Sequence, residues 1–156
     1  MKKLFRHLHM EPLLVIEFVA TFSRLEYALK STRFCSEVKT QADWDAFATE
    51  IDSSFTSLDC KELLDARDYL LTNPPRKQKK CNGELRFVED SARDYCNTRQ
   101  LIKYIKTVRN NLFHGGKYSP DGEKAARRNH QLVNSSLIIL KNCYPILPDV
   151  KKSFDR

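Results

Sequence analysis

The sequence predicts an all-α protein, an antiparallel bundle of four or five helices, and three observations carry that prediction. Apolar residues recur at helical spacing in five separate segments, and no stretch of useful length alternates as a strand does. Only four glycines and six prolines punctuate the 156 residues, which suits long helices better than a turn-rich β sandwich. The length suits one domain, residues 1–156, around a single core.

The first periodic segment runs from Pro12 to Ser31, where Leu14, Phe18, Phe22, Leu25 and Leu29 line one helical face. Glu26 and Lys30 stand four apart in the order that favours a helix pair. A shorter segment, Ala42 to Phe55, sets Trp44, Phe47, Ala48, Ile51 and Phe55 at helical spacing. Leu58 to Leu71 makes the third, with Leu63, Leu64, Leu70 and Leu71 as its apolar residues. Asn73-Pro74-Pro75 then ends the helix, because proline cannot continue it. The text that follows, RKQKKCNGELR, is basic and lacks apolar periodicity, so residues 73–89 are expected to be a loop.

Helical pattern resumes near Asp90, a plausible cap, and Leu101, Tyr104, Ile105, Val108 and Leu112 form a stripe that Gly115-Gly116 closes. After KYSPDG the last helix runs from Glu123 to Cys143, with Leu132, Ser136, Ile139, Leu140 and Cys143 facing inward. Tyr144-Pro145 and Leu147-Pro148 stop it, leaving a short charged tail.

Lys and Arg outnumber Asp and Glu by 27 to 20, a net charge of +7. That excess permits binding to a polyanion and speeds encounter with one, but does not select nucleic acid over a membrane surface. Five widely spaced cysteines, odd in number and without a CxxC pair, give little support to structural zinc and point to reduced thiols in the cytoplasm. The opening MKKLFRHLH and LLVIEFVATF imitate a secretion leader, but Glu17 interrupts the apolar run and no small-residue cleavage site follows. No stretch has the roughly 18 uncharged apolar residues of a membrane span. His7 and His9 are too few for a metal site, and Trp44, Phe47 and Phe55 fit core packing better than base stacking.

The densest polar cluster is Arg109, Asn110, Asn111, His114 and Lys117, at the end of the fourth helical segment. Arg109 lies beside the apolar stripe, so its guanidinium emerges at the edge of the core. Five residues at about 1.5 Å rise separate the Arg109 and His114 Cα atoms by roughly 7–8 Å along the axis. The residue types suit phosphodiester cleavage. Histidine moves protons near neutral pH, and arginine offers a charged fork to phosphate and to a phosphorane. Asparagine orients a hydroxyl or imidazole without titrating. The cluster holds no carboxylate, so a two-metal mechanism is not suggested and attack by a ribose 2′-hydroxyl is the chemistry expected. Arg76, Lys77, Lys79, Lys80 and Arg86 would track an RNA backbone. The same cluster also reads as ordinary helix-end chemistry, since Arg and His near a C-terminus stabilise the dipole.

Arg109-Asn110, followed by Asn111, Leu112, Phe113 and His114, resembles the signature of the HEPN superfamily: an Arg, a polar residue next to it, and a His a few positions on. The flanking IKTV and GGK fit that likeness, and FSRLEYALK resembles the first helix of plasmid-borne and defence-associated bacterial HEPN proteins. ADWDAFATEI and LLTNPPRKQKK are similar to the same branch, so the resemblance spans most of the chain, with RNNLFH its specific motif. It implies a four- or five-helix bundle and a metal-independent endoribonuclease, needing no cofactor, of the kind found among toxins and antiphage effectors. Two copies would form a composite site on RNA, and a cognate antitoxin or regulatory protein would be a further partner. By the resemblance Arg109 holds the scissile phosphate, His114 acts as acid or base, and Asn110 assists. Glu26 would correspond to a first-helix acid, with Asn111, Lys117 and Tyr118 in support. Where a nucleotide-modified tyrosine stands in some relatives this chain has Gly116, which speaks against that mode of regulation. The alternative left open is a HEPN-type module that binds RNA, a nucleotide or a protein without cutting.

Overall fold

The computed structural model describes residues 10–90, 93–114 and 122–156. Helix α1 (Pro12–Lys30) begins on a proline, whose missing N–H costs nothing in the first turn. It buries Phe18, Phe22, Leu25 and Leu29, four of the five residues of its expected stripe, with Leu14 partly buried at the edge. Glu26 and Lys30 form no ion pair, contrary to expectation. A two-residue pairing, β1 (Cys35–Ser36) with β2 (Gln41–Ala42), turns the chain into helix α2 (Trp44–Thr56). Asp43 caps that helix by accepting the Ala46 N–H at 2.9 Å. All five of its expected core residues are buried, and Trp44 stacks on Phe22 with ring centres 4.9 Å apart.

Helix α3 (Lys61–Thr72) buries Leu63, Ala66 and Leu70, while Leu64 is exposed. Leu64 follows Leu63 directly, and one residue turns a helix by about 100°, away from the core.

The expected loop 73–89 is a correction. It contains an antiparallel hairpin, β3 (Lys77–Cys81) paired with β4 (Glu84–Val88), so the protein is mainly helical without being all-α. Asn82 and Gly83 form its two-residue turn with φ of +51° and +85°, the positive values a primed turn requires.

Helix α4 (Asn97–Phe113) starts later than Asp90. Its first turn is held by neighbours: Cys96 accepts the Arg99 N–H, Thr98 donates to Asp52, and Gln100 accepts the Asp94 N–H at 2.7 Å. Asp90 bridges Lys77 and Lys103 instead, at 2.6 and 3.3 Å, and so pins the hairpin base to α4.

Helix α5 (Gly122–Cys143) buries Leu132, Ser136, Ile139, Leu140 and Cys143 as expected. Pro145 lies in a single 3-10 turn, and the supposed charged tail is a short helix, α6 (Pro148–Phe154), again opening on proline. Helix α5 packs on α3 and α1, α2 packs on α4, and α6 lies on α1. These contacts enclose one apolar cluster drawn from every helix. No helix among the described residues is long and apolar enough to cross a membrane.

Candidate phosphate-binding site at the end of helix α4

The stripe of α4 residues buried against α2 carries Arg109 to the rim of the core. Its guanidinium lies over Phe113 at 4.4 Å and Phe22 at 5.7 Å from the ring centres. Such contacts contribute about 0.5–1 kcal/mol each at partly exposed sites and fix the plane of the fork. Nη1 donates to Asn110 Oδ1 at 3.1 Å. At 3.6 residues per turn Arg109 and His114 stand roughly 140° apart around the axis, with Asn110 between them. The Arg109–Asn110 bond therefore draws the guanidinium toward the side from which His114 projects.

His114 is the C-cap of α4, and its backbone N–H donates to the Asn110 carbonyl at 2.9 Å. The residue is exposed, and its ring makes no hydrogen bond among the described residues. Backbone geometry thus fixes the position of the residue at the end of α4. Asn110 is exposed between the two.

Asn111, expected to support the site, faces inward. It is buried, and its Nδ2 donates to the Arg76 carbonyl at 2.8 Å, so it tethers the hairpin to α4. Glu26 is half-buried one turn beyond Phe22 and makes no hydrogen bond or ion pair among the described residues. Lys117 and Tyr118 lie outside the described residues, as do Gly115, Gly116, His7 and His9.

The basic residues of the hairpin divide into two groups. Arg76 faces Glu89 at 3.7 Å, Lys77 faces Asp90, and Arg86 faces Glu84 at 3.0 Å. Lys79 and Lys80 are exposed and have no ion pair among the described residues.

One residue absent from the sequence reading joins them. Arg128 on α5 is half-buried, and its Nη2 donates to the Pro74 carbonyl at 2.8 Å, beside Arg76. Burial, and then the charge of Arg76, lower its proton affinity. Nothing local in AARRNH marks Arg128 as different from a solvated arginine; only the path of the hairpin does. The Phe113 stack was legible, since residues four apart share a helix face.

Among the described residues no three His, Cys, Asp or Glu side chains gather into a group that would hold a metal ion. All five cysteines are free thiols, and complete burial pushes the Cys143 thiol's pKa up. No family model, curated protein or solved structure matches the chain.

Proposed function

We propose that this chain is a HEPN-type, metal-independent endoribonuclease, an antiparallel helical bundle that acts in the cytoplasm as a homodimer with a composite site. The observation that carries the reading is the end of α4. A half-buried arginine is oriented by two aromatic rings and its neighbour's amide, a turn and a half from an exposed histidine. A pre-oriented fork binds a phosphodiester with little further ordering. The ribose 2′-oxygen then bonds to phosphorus as the bond to the 5′-oxygen breaks. One proton leaves the 2′-hydroxyl and one reaches the 5′-oxygen, and His114 carries them. Arg109 stabilises the charge that builds on the phosphorane. A toxin or antiphage effector under the control of a cognate partner is the role this chemistry serves.

Purified protein should cut single-stranded RNA in excess EDTA, and His114→Ala should lower the rate by at least about a hundredfold while the helical signal is kept. Undiminished cutting by His114→Ala, or strict dependence on Mg²⁺, would contradict the mechanism. RNA binding that weakens with salt but is never followed by cleavage would favour the non-catalytic module.

A further inference from the structure

The hydrogen bonds of Asn111 and Arg128 hold the segment 74–76, which leads into the hairpin, between the end of α4 and helix α5. Arg128 reaches the carbonyl of Pro74, two residues before Arg76, and Asn111 holds the carbonyl of Arg76 itself. Both anchors fix backbone, so Arg76 and Arg128 are brought together by the framework and not by attraction between them. Arg128 is half-buried, and Arg76, whose side chain is 51% exposed, presents its charge to an approaching anion. The available anion is weak: Glu89 stands 3.7 Å from Arg76 and its side chain is 75% exposed. Tyr69 on α3 is half-buried, and that burial raises its pKa. Lys79 and Lys80, exposed and without an ion pair among the described residues, follow on opposite faces of β3. A framework that ties Arg128 to the backbone beside Arg76, with a lysine further along each face of β3, offers spaced positive charges that suit successive phosphates of a strand better than a single small anion.

We propose that Arg76 and Arg128 form a second phosphate subsite, which holds the RNA strand one or more nucleotides away from the phosphate at Arg109 and His114. It rests on the reading of RNA as substrate. Arg76 and Arg128 are positioning residues: they set where the strand lies and do not touch the bond that is cut.

The test is binding of a fluorescein-labelled 12-nucleotide single-stranded RNA to full-length protein carrying His114→Ala, followed by anisotropy over a series of KCl concentrations. Arg76→Gln keeps the backbone carbonyl that Asn111 holds, so its fold is safe; Arg128→Gln is checked by circular dichroism. Each is expected to weaken binding about fivefold and to flatten the slope of log K against log salt by about 0.7, one phosphate contact on a single strand. Lys152→Gln, the loss of an exposed charge on α6, is expected to change Kd less than twofold. Unchanged Kd and slope in Arg76→Gln, equal losses in Arg76→Gln and Lys152→Gln, or no RNA binding at all would overturn the subsite. A parallel titration with ADP separates a free nucleotide from a strand. Loss of ADP binding in Arg76→Gln with RNA binding intact would overturn the proposal too. The two readings fail separately. RNA held through both arginines but never cut by the chain with His114 intact removes the nuclease alone, while cutting with normal RNA affinity in both arginine variants removes the subsite alone.

Discussion

At the scale of single residues, Arg109 and Asn111 lie two positions apart on one helix in opposite surroundings. Arg109 keeps its guanidinium at the core's rim, on the rings of Phe22 and Phe113. Lysine there would keep the charge but lose the planar stack and the bidentate fork, so Arg109→Lys should lower RNA cleavage by at least about tenfold with little change in melting temperature. Asn111 is the reverse case. Asn111→Ala removes the part-buried bond to the Arg76 carbonyl and should cost about 0.5–1.5 kcal/mol in denaturant unfolding. Sequence spacing could group these residues but could not say which way each side chain turned, because Asn is equally at home in a cap, a site or a buried tether. Asp52 supplies a pH prediction. Its carboxyl accepts from Thr98 and is held below its ordinary value of 3.8, chiefly by that bond. A depressed folded-state pKa contributes stability that is present above the unfolded value and is lost as pH falls through the folded one. Asp52→Asn should therefore show a shallower loss of stability below about pH 4 than the parent protein, measured by urea midpoints across that range.

At the scale of elements, the long helices were legible and the hairpin was not. Helices α1, α2, α4 and α5 each present an apolar face of three turns or more, and the buried residues match the periodicity nearly position for position. The hairpin strands read KQKKC and ELRFV, too polar for the alternation that marks a half-buried strand. Asn82-Gly83 was the visible signal, since that pair favours a two-residue hairpin turn, but charged flanks hid its meaning. The start of α4 was misplaced for a related reason: Asp90 resembles a cap in sequence, yet its carboxylate serves Lys77 and Lys103 across the hairpin base. Gly83→Ala gives a direct check on the turn. An added Cβ would meet nothing within 4 Å, so only the left-handed backbone opposes it, and a loss of about 1 kcal/mol is expected by chemical denaturation. A loss several times larger would mean that the turn packs on something.

At the scale of the whole molecule, the helices converge on one core, and the end of α4 and the base of the hairpin meet at its edge. Arg109 and Arg128 stand on helices and the backbone of Arg76 is tied to α4, which suits the proposed binding of a flexible strand. The proposed composite site adds a prediction about size: light scattering should give a particle of about twice 18.2 kDa at micromolar concentration. A monomer that still cuts RNA would remove the need for a second copy. The sequence pattern alone could not reach this level, because an apolar face reads the same whether a core or another chain covers it. In the proposed mechanism the end of α4 directs a 2′-hydroxyl onto phosphorus without a metal, and the chemistry of the RNA ends distinguishes that route from metal-dependent hydrolysis. RNA cut by the parent protein in excess EDTA should carry 2′,3′-cyclic phosphate and 5′-hydroxyl ends, identified by mass spectrometry. Fragments bearing 3′-hydroxyl and 5′-phosphate ends, or no fragments until Mg²⁺ is restored, would rule out a metal-free 2′-hydroxyl attack.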